Sequence, residues 1–189
     1  GVPELDHVSC KVQRGEILAV AGVQGNGQSE LAEVILGLRT PDSGTITLEG
    51  KDITRANPRK SLNSGVGFVP EDRMTDGMVS SFSIADNLVL DQFNAPEFAW
   101  GPSRKLGAVA RNARAKQEEY DIRLTSINDP ISSLSGGNQQ KVVVAREMSK
   151  ELQLLVVNQP TRGVDVGSIE FIHRRIVDTR DGGCAVLLI

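Results

Sequence analysis

The segment EILAVAGVQGNGQSELAEVILGL, residues 16–38, constrains the fold of this chain more than any other. Residues 16–23 are a short apolar run ending in glycine, the pattern of a strand. Residues 28–38 carry apolar side chains at 31, 34, 35 and 38, the period of a helix with one buried face. Gly22, Gly25, Asn26 and Gly27 lie between them. A strand that turns through glycines into a helix N-terminus points backbone N–H groups and the positive end of the helix dipole at one place, and that place favours a phosphate. Gly22, Gly25, Gly27 and Ser29 have the spacing of a phosphate-binding loop, with Gln28 where such a loop carries lysine. The candidate nucleotide-binding residues are therefore Gly22, Gly25, Asn26, Gly27, Gln28, Ser29 and Glu30. Ser29 is the candidate hydroxyl for a weakly held Mg²⁺.

The same alternation continues along the chain. PDSGTITLEG (41–50) reads as a turn and an alternating strand, and SGVGFVPED (64–72) as a strand running into an acidic loop. KVVVAREMSK (141–150) reads as a basic helix, and LQLLVVNQP (152–160) as a buried strand stopped by Pro160. IEFIHRRIVDTRDGG (169–183) reads as a helix closed by glycine, and AVLLI as a last strand. Strands alternating with helices imply an α/β core with a largely parallel sheet. Residues 82–133 are polar and patchily helical, broken by FNAPEFAWGPSRKLG, and read as a helical insert. The expected organisation is a core of 1–81 and 134–189 with a helical subdomain at 82–133. CAVLLI stops inside a core-like run and GVPELDHVSCKV starts inside a strand-like one, so the chain is expected to be a piece of a longer protein.

The formal net charge of −3 provides no electrostatic footprint for nucleic acid. No apolar run reaches the length of about 18 residues that spans a bilayer. Cys10 and Cys184 are isolated, which predicts a reducing compartment, no metal site, and two small buried side chains.

LSGGNQQK (134–141) is the second informative string. Ser135 precedes two glycines and then a helix, a second anion-binding N-terminus with a hydroxyl and room for close backbone approach. Following a glycine loop and preceding an apolar strand that ends in NQPT, LSGGNQQK resembles the signature motif of the ABC ATPases, in the variant of the ribose- and galactose-type importers. Leu134, Ser135, Gly136, Gly137, Asn138 and Gln139 are then the signature residues. VVNQPTRGVD (156–165) resembles the family's Walker B strand and D-loop, with Gly163, Val164 and Asp165 in the D-loop. VPEDR (69–73) resembles its Q-loop region, with Glu71 where most members carry glutamine. GVQGNGQSE is similar to the Walker A loop of the second of two fused nucleotide-binding domains, and NQPTRGVDVGSIEFIH leans towards the purine-nucleoside relatives.

The resemblance covers nearly the whole chain in order. It implies a P-loop NTPase fold of ABC type and ATP with Mg²⁺ as ligands. It implies as partners an N-terminal nucleotide-binding domain of the same chain, transmembrane permease subunits and, indirectly, an extracellular solute-binding protein, with no nucleic acid. It implies a peripheral position at the cytoplasmic face of the cell membrane. By the same resemblance, the switch histidine and the adenine-stacking aromatic fall outside these residues. ABC domains pair head to tail, so this signature would face ATP held by the partner domain.

Four substitutions bear on catalysis. Gln28 stands for a lysine that would neutralise phosphate charge. Asn158 stands for an aspartate that helps to hold Mg²⁺, and Gln159 for the glutamate that polarises the attacking water. Glu71 is expected to add negative charge near a polyphosphate. The expectation is an importer ATP-binding domain with no intact catalytic residue of its own and an intact signature. A chromosome-type ABC ATPase would need a long coiled coil between Gln28 and Ser135, and no sustained heptads occur there. A soluble regulatory or translation-type ABC protein is the alternative, against which the insert and the sugar-type signature both speak. His173 reads as a surface or interface residue. Phe98 and Trp100 either pack within the insert or contact a membrane subunit.

Overall fold

A computed structural model of the chain describes residues 5–23 and 25–189. Its elements in chain order begin with β1 (Ile17–Ala19), α1 (Gln28–Leu36), β2 (Thr47–Leu48), β3 (Lys51–Asp52), α2 (Pro58–Asn63) and β4 (Val66–Val69). A π-helical turn (Arg73–Gly77), α3 (Ile84–Asn87), β5 (Ala99–Trp100), β6 (Ser103–Arg104) and α4 (Leu106–Glu119) follow. A 3₁₀ turn (Ile131–Ser133), α5 (Gly136–Met148), β7 (Leu154–Val157), α6 (Val166–Asp181) and β8 (Ala185–Leu188) complete the order. No helix among the described residues is long and apolar enough to cross a membrane.

The described residues divide into two compact units. The first takes 1–69, 150–159 and 174–189. Its centre is a four-stranded sheet in the order β1-β8-β7-β4, parallel throughout. The runs VGFV, LLVV and AVLL supply β4, β7 and β8, and apolar residues on both faces suit strands covered from both sides. Ala32 and Ile35 of α1 pack with Val66, Val156 and Leu187 in one buried cluster. Burying a side chain such as Leu187 contributes about 1.5–3 kcal/mol. The alternating strand expected in 41–50 is shorter than its pattern: β2 pairs antiparallel with β3 across a tight turn, where Glu49 and Gly50 both have positive φ.

Two expectations are corrected in this unit. The described residues before Ile17 form no strand; their link to the sheet is made close to β1, where the Gly15 N–H donates to the Cys184 carbonyl at 3.3 Å and the Glu16 carbonyl accepts from the Val186 N–H at 2.9 Å. Cys10 in that segment is exposed, whereas Cys184 is buried as expected. Loss of solvent pushes the Cys184 thiol up to about 11.

The second unit takes 70–149 and 160–173. α5 is its central element, with Gly137 and every residue from Gln139 to Glu147 buried. A helix buried all round must pair its polar groups. Arg146 Nε donates to Glu147 Oε1 at 2.8 Å, and Lys141 Nζ donates to the Asp121 carbonyl at 2.8 Å and to Asp121 Oδ2 at 2.9 Å. Lys141 also sits 4.8 Å from the Phe171 ring centroid, within cation–π range. Asn87 is fully buried and holds the approach to α3: its Oδ1 accepts from the Val79 N–H, and its Nδ2 donates to the carbonyls of Val79, Phe82 and Ser83. The interrupting loop FNAPEFAWGPSRKLG contains the hairpin β5–β6, turned at Gly101 and Pro102. Phe98 packs inside at 3% exposure, and Trp100 stands 83% exposed on the hairpin. The helices expected at 141–150 and 169–183 start earlier, at Gly136 and Val166, because Ser135 and Asp165 bond to their first-turn N–H groups.

Candidate functional site

The parallel register aligns the carboxyl ends of three strands in the first unit. Ala19 stands beside Leu188, and Leu188 beside Val157. The ladder runs one step further: the Val20 N–H donates to the Leu188 carbonyl at 2.8 Å, and the Gln159 N–H to the Ile189 carbonyl at 2.9 Å. The glycine loop after β1 and the pair Asn158–Gln159 after β7 therefore leave the same edge of the sheet, two strand spacings or about 10 Å apart. Ligands of open parallel sheets bind at that edge.

Within the loop, Gly25 has φ 90° and Gly27 has φ 96°. Gly27 is the N-cap of α1 and offers no side chain, so the first-turn N–H groups remain available to a ligand. Gln24 lies outside the described residues. Gln28 is half-buried and folds back across the loop. Its Nε2 donates to the Val23 carbonyl at 3.1 Å, and its Oε1 accepts from the Asn26 N–H at 3.1 Å. A Cβ at Gly22 would overlap that Nε2, so glycine at 22 makes room for the Gln28 amide. Ser29 is exposed and Glu30 lies in the first turn of α1.

Asn158 is buried and its N–H donates to the Val69 carbonyl at 2.9 Å. Gln159 is exposed with φ 41°, a left-handed conformation uncommon for glutamine and doubly so before Pro160. Such strain costs on the order of 1–3 kcal/mol and concentrates at functional positions. The side chains at 28, 158 and 159 carry no charge, so they can hydrogen-bond to a phosphate or water but cannot neutralise the one or deprotonate the other.

The other predicted site residues come together in the second unit. Ser135 caps α5: its Oγ accepts from the Asn138 N–H at 3.5 Å and from Asn138 Nδ2 at 3.0 Å. Asn138 Oδ1 in turn accepts from the Arg123 N–H at 2.8 Å. Leu134 is half-buried, its carbonyl accepting from Gln139 Nε2 at 3.1 Å. Ser135 is exposed beside a polar cleft of about 450 Å³ walled by Arg123, Thr125, Ser133 and Asn138.

Gly136 and Gly137 have a structural reason beyond ligand approach. A Cβ on Gly137 would overlap Asp165 Oδ2 and Ser168 Oγ, and one on Gly136 would lie 3.1 Å from the Gly163 carbonyl. Gly136 and Gly137 are thus in contact with Gly163 and Asp165. Asp165 opens α6, accepting from the Ser168 N–H at 3.0 Å and the Ser168 hydroxyl at 2.7 Å. Those bonds, the hydroxyl first, hold its carboxyl below the usual carboxylate range. Gly163 turns with φ 65°, and Val164 is half-buried.

Glu71, expected to add negative charge near a polyphosphate, has a cation beside it. Its carboxylate pairs with the Arg162 guanidinium, which supplies the opposite charge locally. Arg73, Lys141 and Arg162 are the polar residues that sequence reasoning missed. Glu71 and Arg162 did leave a signal, opposite charges inside two strings already singled out, VPEDR and TRGVD.

The profile of the ABC transporter family matches residues 5–162. The chain belongs to the ABC transporter family. This ABC domain is 46% identical over 190 residues to the guanosine import ATP-binding protein NupO of Bacillus subtilis (strain 168), an alignment covering 100% of the chain and 37% of that protein. It is 47% identical over 182 residues to the nucleoside import ATP-binding protein NupA of Lactococcus lactis subsp. cremoris (96% and 36% covered). It is 45% identical over 191 residues to the glucose import ATP-binding protein TsgD13 of Haloferax volcanii (100% and 35% covered). The chain spans only 35–37% of the length of these relatives.

Among solved structures, a nucleotide-free ATP-binding cassette of an ABC transporter superposes with a TM-score of 0.80 at 25% identity, covering 98% of this chain and 74% of that one. A dimeric cassette bound to ADP and Pi gives 0.81 at 20% identity, covering 98% and 79%. The fold is that of the ABC-type P-loop ATPases, a parallel sheet core with a helical subdomain.

Proposed function

We propose that the chain is the second, C-terminal nucleotide-binding domain of an ABC importer for nucleosides or simple sugars, with an impaired ATP site of its own and a signature that completes the ATP site of its partner domain. The contrast between the two candidate sites carries the reading. Ser135 is exposed at the start of α5 with Gly136 and Gly137 behind it, while Gln28, Asn158 and Gln159 bring no charge to the edge of the sheet. The glycine loop still offers phosphate-binding N–H groups, so ATP binding there is retained in weak form. Mg²⁺ adds little, because Ser29 is left without an aspartate at 158.

The partners follow from this arrangement. They are an N-terminal nucleotide-binding domain of the same chain, permease subunits contacted through 82–133, and indirectly a solute-binding protein outside the cell. The domain works at the cytoplasmic face of the membrane. The names of the relatives at 46% and 47% identity specify guanosine and nucleosides, and that at 45% specifies glucose, which supports a nucleoside or hexose as solute. The test compares two variants in the complete transporter. Ser135→Arg abolishes ATP turnover by blocking the partner's γ-phosphate, and Gln28→Ala leaves most of it. Equal damage from both variants overturns the reading.

A further inference from the structure

We infer that the turn Glu71-Asp72-Arg73 is a positioning element that holds the D-loop against the signature, with Arg73 as its central residue; the inference rests on the proposed role of the signature in the partner's ATP site. Each of the three side chains has a separate task. Asp72 builds the turn itself, since its Oδ1 accepts from the Met74 N–H at 2.8 Å and its Oδ2 from the Thr75 hydroxyl at 3.1 Å. Glu71 takes the side chain of Arg162 in an ion pair. Arg73 takes the backbone of the same residue: its Nη1 donates to the Arg162 carbonyl at 3.0 Å and its Nη2 to the Gly163 carbonyl at 3.4 Å. The Nε of Arg73 reaches the other way and donates to Gln139 Oε1 at 3.4 Å.

Residue 162 is therefore gripped by both its side chain and its carbonyl, and the same guanidinium is tied to α5. The first glycine of the signature belongs to this arrangement, because a Cβ on Gly136 would lie 2.6 Å from Arg73 Nη2. A planar fork with donors on three nitrogens can serve two carbonyls and an amide at once, and a lysine ammonium on its single stem cannot reproduce that geometry. Gly163 has no side chain through which to be anchored, so its carbonyl is the available handle. Ser135, Gly136 and the 163–165 turn consequently move as one block. If the signature serves ATP bound by the neighbour, releasing this block misplaces donors in the transition state without loosening the neighbour's own hold on the nucleotide.

The experiment uses the complete transporter, with steady-state ATPase measured per assembled complex and melting temperature recorded for each variant. Arg73→Ala lowers kcat roughly 10- to 100-fold with KM for ATP little changed, and Arg73→Lys recovers part of the loss. Glu71→Arg and Arg162→Glu each lower kcat, and the two together restore it by rebuilding the pair with its signs exchanged. Should Arg73→Ala fail to assemble, the lysine variant and the charge exchange carry the test. The inference is overturned if kcat per complex stays at the wild-type value, or if only KM rises, while Ser135→Arg still abolishes turnover. Full turnover by Ser135→Arg instead overturns the underlying reading of the signature.

Discussion

Gly137→Ala and Gly107→Ala are the same chemical change at the same helical position, the second residue of α5 and of α4. The structure gives them opposite signs. At Gly107 an added methyl meets only Arg111 Nη1 at 3.5 Å, ordinary van der Waals contact. The variant keeps every contact and loses backbone freedom in the unfolded chain, a gain of about 0.4–1 kcal/mol. At Gly137 the methyl overlaps Asp165 Oδ2 and Ser168 Oγ and lies 3.1 Å from Ser168 Cβ. Ser168 is buried, so it cannot swing away, and Asp165 must give up the bonds that open α6. Overpacking of this kind costs about 1–3 kcal/mol, which outweighs the entropic gain and leaves a net loss of about 1–2 kcal/mol. For a domain of this size each kcal/mol moves Tm by roughly 2–4 °C. Thermal unfolding of the two variants beside the wild type should show Gly137→Ala lower by about 2–8 °C and Gly107→Ala slightly higher. If both variants gain stability, the contact between the signature and the 163–165 turn does not exist as described, and the two glycines would be there for a ligand alone.

Iodoacetamide at pH 8 should label exposed Cys10 and spare Cys184, read by mass spectrometry; since burial raises the Cys184 thiol to about 11, stability linked to it is intact below the ordinary thiol value of about 8.5 and declines as pH rises towards 11. Equal labelling would refute the burial. Asp121 is held below the usual carboxylate range, first by the hydrogen bond from Lys141, so its contribution is present above about pH 3.9 and fades as pH falls through the depressed value. Urea midpoints of wild type and Asp121→Asn should therefore differ at pH 7 and converge in acid. Asn87→Leu should cost about 1–3 kcal/mol in urea unfolding, because the Val79 N–H and the partly buried carbonyls of Val79, Phe82 and Ser83 lose their partner. The isolated domain should release phosphate well below about 1 s⁻¹, the lower end of ordinary turnover; a rate at or above that would show that the uncharged positions 28, 158 and 159 do not impair the site.

Local pattern determined the framework. The apolar run before Gly22, the helical period after Gln28, the strand LLVV before Asn158 and the serine before two glycines all act within one element or one turn, where backbone geometry repeats every two or 3.6 residues. Those signals sufficed for the α/β core, the glycine turn into α1 and the serine-capped helix α5, and the order of the motifs brought the family resemblance with it. Tertiary structure decided what depends on distant partners. Glu71 reads along the chain as a negative charge in an acidic loop, and the fold makes it half of a pair with Arg162, 91 positions away. Lys141 reads along the chain only as one charge of a basic helix, and the fold buries it over Phe171. Cys10 matches a core residue in type and is exposed, whereas Cys184, just ahead of β8, is buried. Gly136 and Gly137 suggest ligand approach, yet what forbids a side chain there is Arg73 on one side and the opening of α6 on the other. Periodicity fixes which face of an element is apolar; only the path of the chain fixes what that face, or a charge beside it, will meet.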